Sequence, residues 1–281
     1  FDVNQSAQAA EFARRWRLCG AARLGRTGLL RHWSRVARMG SQPVLPQPMQ
    51  IVEIRAENEQ TRTFVLDGAL EAVPGQFVMA WLPGVDEKPF SLAGANPVTL
   101  TIAAVGPFSS ALHGLVVGER VWVRGPLGKG YRLPEQPGLA LLIGGGYGVA
   151  PLHFLARRLL HTGRPVSMII GARTAGQLLL VRSIAELGIH LWLATEDGSA
   201  GLRGLATDAI KPAIGEAPGG RPAMVYACGP TGMLQAVADR CASLGLTAQL
   251  SWEAHMRCGI GPVSYTHLRA HETDSYLVCR L

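Results

Sequence analysis

The chain has 281 residues, of which 48% are hydrophobic, and this length allows two ordinary domains that each bury a core. The net charge of +7 is concentrated at one end, because residues 1–38 carry eight arginines against Asp2 and Glu11, a balance of +6. The remainder is nearly neutral, which argues against nucleic-acid binding by the core, since such binding needs basic side chains spread over one face.

The first 48 residues form a separate segment of the sequence. They are rich in Arg and Pro and contain Met39, which with Met49 is a possible initiator. We expect residues 1–48 to be a disordered leader, with a transit peptide as the alternative interpretation.

Cysteine usage and hydropathy bear on location. The five cysteines form no C-x-x-C pair, and no apolar signal region precedes the domains, which favours a reducing, cytoplasmic setting. The most apolar window, LALLIGGGYGVAPLHFL, is interrupted by glycines and a proline, so we expect no membrane span.

Residues 49–134 alternate short strands with turns. Six runs rich in Val, Ile, Thr, Phe and Trp are separated by Gly and Pro, and the run SSALHGLV interrupts them as a helix. The six runs are MQIVEIRA, TRTFVLDG, QFVMAWLPG, KPFSLAGA, VTLTIAAVG and ERVWVRGPLG. This pattern predicts a small antiparallel six-stranded β-barrel.

Residues 138–253 change to an alternation of strand and helix after the linker LPEQPG. Buried-strand runs such as VSMIIGA and HLWLAT are separated by helical stretches, among them APLHFLARRLLHTG, GQLLLVRSIAELG and TGMLQAVADRCASLG. Parallel neighbours require crossover helices, so the rhythm predicts a doubly wound parallel α/β domain.

Three turns should meet at the carboxyl edge of this sheet, where open α/β sheets bind ligands. LLIGGGYGVAP places four glycines between a strand and a helix, and TEDGS and ACGP follow later strands. Missing side chains let backbone N–H groups approach a pyrophosphate. The spacing departs from the dinucleotide fingerprint at Val149, and GPLGKG departs from a phosphate loop at Gly130. Each run could be an ordinary turn, but their shared edge favours one common ligand.

The ordered set KPFS, GPLGKGY, GGGYGVAPL, GAR, TEDGS, YACGPTGM and RCGIG resembles the ferredoxin-reductase superfamily. Within it, the chain is similar to the electron-transfer subunits of NAD-dependent dihydroorotate dehydrogenase, from about residue 49 to 261. The resemblance implies a barrel that binds FAD, an α/β domain that binds NAD(H), and a following loop that holds a [2Fe-2S] cluster.

The resemblance also implies a set of flavin-contacting residues. Phe90 would pack near the isoalloxazine and Ser91 would lie within hydrogen-bonding reach of it. Lys88 stands where the family usually has Arg, so the bidentate phosphate contact is lost. The full implied set is Lys88, Pro89, Phe90, Ser91, Thr101, Ile102, Ala103, Ser109 and Ser110.

A second implied set would hold the nicotinamide cofactor, and Cys228 and Ser91 are the two candidate catalytic residues. We expect Cys228 to face the cofactor, although a small core residue is the alternative. No separate acid or base is required, because hydride passes directly between the cofactors. The implied set is Gly144, Gly145, Gly146, Gly148, Val149, Ala150, Pro151, Glu196, Asp197, Cys228, Gly229 and Pro230.

Residues 254–281 depart from the family after Gly261. A [2Fe-2S] cluster needs four ligands, and Val263 and Thr266 stand where the second and third cysteines are expected, so Cys258 is the single remaining candidate ligand. We interpret the segment as a remnant of the cluster loop followed by a non-native tail, and expect no cluster on this chain.

The implied function is a flavoprotein subunit that takes hydride from NADH to FAD. It would pass electrons to a dihydroorotate dehydrogenase catalytic subunit, in a hetero-oligomer of pyrimidine biosynthesis. The alternatives are a reductase subunit of a hydrogenase or of an NADH-dependent ferredoxin:NADP oxidoreductase, and, from another class, a non-catalytic interaction protein. The choice between NADH and NADPH stays open, because Arg173 could meet a 2′-phosphate or cap a turn.

Overall fold

The structure, a computed structural model, describes residues 45–215 and 222–252 and the backbone of residues 276–279. The described residues from Pro46 onward belong to one compact unit. The predictions for residues 1–44 and for Cys258 lie outside the described residues.

The first half of the described chain is a closed barrel, in the strand order β1-β2-β5-β4-β3-β6 with antiparallel neighbours. The six-stranded barrel prediction is confirmed. The strands are β1 (Gln47–Ala56), β2 (Thr61–Leu66), β3 (Phe77–Leu82), β4 (Asp86–Ala95), β5 (Val98–Ala103) and β6 (Arg120–Leu127).

Apolar residues from all six strands fill the barrel interior, among them Ile51, Phe64 and Leu100. Helix α1 (Pro107–His113) lies between β5 and β6 and packs Phe108 and Leu112 into the same core. Burial of such side chains stabilises the fold by roughly 1.5–3 kcal/mol each, so it determines which face of each strand turns inward.

The second half is a parallel sheet in the order β10-β9-β8-β7-β11-β12-β13. The predicted doubly wound α/β domain is confirmed. The strands are β7 (Ala140–Gly145), β8 (Val166–Ala172), β9 (His190–Thr195), β10 (Leu202–Arg203), β11 (Met224–Cys228), β12 (Ala248–Trp252) and β13 (Tyr276–Cys279). The helices are α2 (Val149–His161), α3 (Val181–Ala185), α4 (Ile210–Gly215) and α5 (Thr231–Ser243).

Several details differ from the sequence prediction. Strand β1 begins at Gln47, two residues inside the segment predicted as a disordered leader, and β10 and α4 were not predicted. The helix predicted over 176–188 is split into a 3₁₀ turn, Ala175–Gln177, and α3. The two are separate because Leu180, which lies between them, adopts a left-handed φ of 56° that a continuous right-handed helix does not allow. Strand β13 lies in the segment interpreted as a non-native tail, and its backbone pairs in parallel with β12.

The barrel and the α/β domain are joined by a polar anchor. Gln249, which is 1% exposed, accepts a hydrogen bond from the Arg132 amide at 2.9 Å and donates one to the Arg132 carbonyl at 2.8 Å. The Tyr226 hydroxyl donates to the same carbonyl at 2.7 Å. These bonds fix the linker that follows β6, while α2 packs against β4 and Phe154 reaches the barrel core. The two domains are therefore held with the barrel beside the carboxyl edge of the sheet.

None of the helices in the described part of the chain is long and apolar enough to cross a membrane.

Candidate functional site

A cleft of about 510 Å³ lies between the barrel and the carboxyl edge of the sheet. The barrel wall comes from the ends of β2 and β5, and the opposite wall from the turns after β7, β8, β9 and β11. Its lining includes Asn58, Gln60, Thr61, Ala103, Val105, Gly145, Gly146, Tyr147, Gly171, Ala172, Arg173, Glu196, Leu205, Thr207, Pro230 and Met233.

The glycine-rich turn after β7 uses its glycines for two different purposes. Gly146 has a φ of 53°, and a side chain there would meet nothing within 4 Å, so its backbone opens into the cleft. A Cβ on Gly148 would instead collide with the Cys228 carbonyl, and one on Gly145 would lie 2.7 Å from the Met233 sulfur. Gly146 therefore gives access for a ligand, whereas the other two allow the turn to approach the end of β11.

The remaining predicted residues of this turn lie beneath it. They are buried at the end of β7 and in the first turn of α2, and do not line the cleft; they are Gly144, Gly148, Val149, Ala150 and Pro151. They shape the turn through packing.

The turns after β8 and β9 form the next part of the wall. The backbone amide of Glu196 donates a hydrogen bond of 3.2 Å to the Ala172 carbonyl, and this bond connects the two turns. Glu196 also lines the cleft. Arg173 also lines it, and no ion pair or hydrogen bond of its guanidinium is found among the described residues. This wall thus presents one carboxylate and one cation to a ligand.

Asp197 has a different role from its neighbour. Its carboxylate accepts hydrogen bonds from the Ser199 hydroxyl at 2.6 Å and the Ser199 amide at 3.0 Å, and these bonds lower the pKa of the fully exposed carboxyl. Asp197 is not among the residues lining the cleft. It shapes the turn that presents Glu196.

The barrel motif at 88–91 lies outside the cleft lining. The Lys88 ammonium forms an ion pair of 2.7 Å with Asp86, and both side chains are about half exposed. Phe90 stacks on Phe108 with ring centroids 5.8 Å apart, at the edge of the barrel core. In the β3–β4 pair, Ser91 lies opposite Phe77, and Pro89 lies opposite Met79.

The second barrel group divides between surface, core and cleft. Ala103 lines the cleft, whereas Ile102 is buried inside the barrel and the Thr101 hydroxyl is hydrogen-bonded to the Thr63 hydroxyl at 2.9 Å. The Ser109 hydroxyl accepts from the amides of residues 105 and 106 at 3.0 Å each, so it closes the start of α1, while Ser110 is exposed.

The turn after β11 combines a buried thiol with a cleft-lining proline. Cys228 is 3% exposed and belongs to the core cluster under α2. Gly229 has a φ of 159°, and a Cβ there would lie 2.6 Å from the Met233 methyl group. Pro230 lines the cleft, so this turn brings its backbone and its proline, rather than an exposed thiol, to the ligand.

Comparison with known proteins agrees with this arrangement. Residues 142–239 match the family model of the oxidoreductase NAD-binding domain. The chain is 37% identical over 230 residues to the probable dihydroorotate dehydrogenase B (NAD(+)), electron transfer subunit, of Thermococcus kodakarensis, across 82% of this chain and 91% of that protein. It is 38% identical over 222 residues to the same subunit of Pyrococcus abyssi, across 79% and 82% of the two chains. This chain belongs to the family of dihydroorotate dehydrogenase B electron transfer subunits.

Solved structures share the architecture of this family member. The structure of the NADH-dependent reduced ferredoxin-NADP oxidoreductase superposes with a TM-score of 0.68 at 28% identity, covering 79% of this chain and 81% of that chain. The ferredoxin reductase of carbazole 1,9a-dioxygenase gives 0.63 at 25% identity, over 73% and 68% of the two chains. The chain is therefore a reductase of the FAD- and NAD(H)-dependent kind.

The described residues of this family member do not fit a [2Fe-2S] cluster. No group of three or more His, Cys, Asp or Glu side chains within the described ranges is arranged to hold a metal. Cys228 and Cys241, which form no disulfide, are buried in clusters on opposite faces of the sheet, and burial raises the pKa of the Cys241 thiol to about 11. A cluster needs ionised thiolates close together, which these two cysteines do not provide.

Several cleft residues of the family member were missed from the predicted set. Asn58, Gln60 and Thr61 come from the β1–β2 turn and the start of β2, which carry no glycine signal. Met233 lies in the motif YACGPTGM, and Ala172 in GAR, so these two could have been found by taking each motif as a whole.

Proposed function

We propose that the chain takes hydride from NADH to FAD and serves a dihydroorotate dehydrogenase catalytic subunit as its electron source in pyrimidine biosynthesis. The main observation behind the proposal is the cleft between the barrel and the sheet edge. It is found in a chain whose relatives are named as dihydroorotate dehydrogenase B electron transfer subunits. The alternative of a non-catalytic interaction protein leaves this cleft and the reductase relatives without explanation.

The nicotinamide cofactor is proposed to lie along the carboxyl edge of the sheet. The open backbone at Gly146 would face its pyrophosphate, because a glycine without neighbours within 4 Å leaves room for phosphate oxygens beside an amide. The Glu196 carboxylate would accept from a ribose hydroxyl, and Arg173 would supply the positive charge at the same wall.

FAD is proposed to bind on the barrel side, where Thr61, Ala103 and Val105 form the cleft wall. When bound, it supplies an acceptor for two electrons and a proton, which the side chains of this chain do not provide. The Lys88 ammonium can hold a flavin phosphate as a point charge, provided that it leaves Asp86. Phe90, already stacked on Phe108, offers a rigid aromatic support nearby.

Ser91 and Cys228 are proposed to flank the reacting centre. Cys228 would act by its position at the end of β11, because a 3% exposed residue can contact a ligand only with a small part of its surface. Cys241 is a matched control, since it is buried at 1% on the opposite face of the sheet. Cys228→Ala should slow flavin reduction by NADH about tenfold, and Cys241→Ala should leave the rate unchanged.

Electron delivery beyond the flavin is proposed to be impaired in this chain. In the sequence, Val263 and Thr266 stand at two of the expected ligand positions beside Cys258. The protein should therefore carry flavin but less than stoichiometric iron and acid-labile sulfide, and should reduce small dyes rather than a cluster-dependent partner. Two irons and two sulfides per chain, with the paramagnetic signal of a reduced binuclear cluster, would contradict this part.

The test of the main proposal is a flavin spectrum of the purified chain, followed by anaerobic addition of NADH. We expect a bound flavin absorbance that bleaches with NADH and recovers with an artificial acceptor. A protein that binds neither flavin nor NADH would overturn the proposal. Co-purification with a dihydroorotate dehydrogenase catalytic subunit then tests the partner, and fractionation tests the proposed cytoplasmic location.

A second candidate is a reductase subunit that exchanges electrons with ferredoxin or a hydrogenase. It is favoured by the similarity to the NADH-dependent reduced ferredoxin-NADP oxidoreductase structure, whose TM-score is 0.68. The higher identity to the dihydroorotate dehydrogenase B subunits, 35–38%, favours the first candidate. Electron transfer to ferredoxin, but not to a dihydroorotate dehydrogenase catalytic subunit, would select the second.

A further inference from the structure

A second cavity, of about 250 Å³, lies at the junction between barrel and α/β domain, next to the cofactor cleft along β2 and β5. It is bounded by the outer face of β1, β2, β4 and β5 and by α2 and α3. Its lining shares no residue with the cofactor cleft. It is too small for a dinucleotide but large enough for a single phosphate group.

The floor of this cavity is made of hydroxyl groups. Thr63 and Thr101 are 2% and 8% exposed, and their hydroxyls are hydrogen-bonded to each other at 2.9 Å. A hydroxyl pair has two protons and uses one for its own bond, so one remains to be donated into the cavity. The floor can therefore supply a neutral donor to an anion.

Two guanidinium groups approach the cavity from different domains. Arg55 lies on β1 and Arg157 on α2. Arg55 pairs with Glu53 at 3.4 Å, through side chains that are about half exposed, whereas the guanidinium of Arg157 has no ion pair or hydrogen bond among the described residues. Exposed pairs of this kind are weak, so both guanidinium groups are available to a stronger partner.

The imidazole of His153, on α2, lies between these charges. Burial, then Arg157, then Arg55 lower the pKa of His153 from 6.5 to about 4, so the ring is neutral at pH 7. Both cations thus act on one point in the cavity. The imidazole has no hydrogen-bond partner among the described residues, which leaves its N–H for a ligand.

The carboxylate that lines the cavity, Glu186, does not neutralise it. Its oxygen is 3.2 Å from the Arg182 guanidinium, on the solvent side of α3. The groups facing His153 are then two cations and one carboxylate that is already paired. Such a cavity favours an anion.

We propose that this cavity binds a phosphate dianion between Arg55 and Arg157, so that the anion joins the barrel to the α/β domain. A planar guanidinium donates two parallel hydrogen bonds to phosphate, and the Thr hydroxyl and the His153 N–H supply further donors. Free inorganic phosphate and a phosphate monoester present the same group. This site goes beyond the oxidation of NADH, and Thr101, through its hydroxyl, is the residue that it shares with the implied flavin set.

The test is calorimetric titration of the full flavin-loaded chain with inorganic phosphate and, separately, with ribose 5-phosphate, at constant ionic strength set by chloride. We expect one saturable site for at least one of the two ligands. Saturation by inorganic phosphate alone would identify the free ion as the ligand of the cavity. Tighter binding of ribose 5-phosphate would identify a phosphate monoester as the ligand. Bound phosphate should also raise the pKa of His153 above its value in the free protein, because the anion offsets both guanidinium charges.

Matched variants locate the site. Arg157→Gln and Arg55→Gln should each weaken phosphate binding at least tenfold. Arg158 is the adjacent exposed residue on α2 and does not line this cavity. Arg158→Gln removes the same charge and should change the dissociation constant for phosphate less than twofold. Arg173→Gln tests the cofactor cleft in the same way and should also leave phosphate binding unchanged.

Three results would overturn the proposal. The first is the absence of saturable phosphate binding. The second is an equal loss of phosphate affinity in all four variants, which would indicate an effect of overall charge. The third is a loss of affinity confined to Arg173→Gln, which would place the phosphate in the cofactor cleft. If Arg157→Gln does not fold, Arg157→Lys keeps the charge but loses the fork and should still weaken binding several-fold.

Discussion

The α/β domain and the barrel differ in how their predicted ligand residues reach the cleft. On the sheet side, Gly145, Gly146, Glu196 and Pro230 all line it, although their motifs are spread over three turns. On the barrel side, Ala103 is the one residue of the predicted set that lines it, while the ammonium of Lys88 is held by Asp86.

This contrast reflects the physical basis of each motif. The sheet-edge motifs act through backbone geometry, and the carboxyl ends of parallel strands are brought to one edge by topology alone. The barrel motif acts through long side chains whose positions depend on ion pairs and ring stacking with whichever partner is present. If the proposed sites are right, the backbone site at the sheet edge is preformed, whereas Lys88 would have to leave Asp86 when a flavin phosphate binds.

The largest effect is expected from filling the preformed site. Gly146→Leu should lower kcat/KM for NADH about 1000-fold, or about 4 kcal/mol, because the side chain would project into the open space proposed for the cofactor. Flavin should stay bound, since Gly146 lies on the opposite wall. Stopped-flow reduction of the flavin by NADH measures the effect.

Gly163→Leu is the control for backbone strain. Gly163 also has a positive φ, 72°, and an added Cβ would meet nothing within 4 Å, but it lies beyond α2 and outside the cleft. Both substitutions cost about 1–2 kcal/mol of left-handed strain. An equal fall in kcat/KM in both variants would contradict the placement of the nicotinamide cofactor.

The next effect concerns the junction between the two regions, where His153 is kept neutral. Its pKa is about 4 in the folded protein and 6.5 in the unfolded chain, so the unfolded state binds the proton more readily. The stabilising contribution is complete above pH 6.5 and is lost as pH falls from 6.5 to 4. The free energy of unfolding should fall by about 3 kcal/mol over this window on account of His153.

Urea unfolding at several pH values measures that loss. His153→Gln should flatten the slope, because the substituted amide does not titrate, while His161→Gln at the exposed end of the same helix should not. An unchanged slope in His153→Gln would show that another group controls the acid response.

A smaller effect should come from the charged pair at the sheet edge. Glu196→Gln should raise kcat/KM for NADPH relative to NADH about tenfold, or about 1.4 kcal/mol, because a carboxylate repels a 2′-phosphate that Arg173 can bind. Steady-state kinetics with both cofactors gives the ratio. Glu135→Gln, exposed and outside the cleft, should leave the ratio unchanged; a similar ratio in both variants would rule out a selective role for Glu196.

The sequence was sufficient for the barrel, the doubly wound sheet and the glycine turns, because period-2 alternation, buried runs and turn residues are local signals. It was insufficient where tertiary contacts decide. The split at Leu180 depends on a single left-handed residue inside an apolar run, and the bonds of Asp197 to Ser199 depend on how the turn folds. The cavity at His153 is assembled from β1, β5 and α2, which no local pattern connects.

The smallest effect is expected for flavin affinity when Lys88 of the barrel motif is changed. Lys88→Arg should strengthen flavin binding about threefold, because an arginine contacts a phosphate with two parallel hydrogen bonds and the exposed pair with Asp86 is worth only about 0–1 kcal/mol. Lys211→Arg, an exposed lysine on α4, is the control and should have no effect. Fluorescence titration of the apoprotein with FAD measures both. If Lys88→Arg and Lys88→Ala both bind FAD as tightly as the parent, residue 88 does not contact the flavin phosphate. In that case the Lys88 ammonium of the parent stays paired with Asp86 in the bound state. The flavin phosphate would then have to be held by backbone groups, as proposed for the nicotinamide cofactor at Gly146.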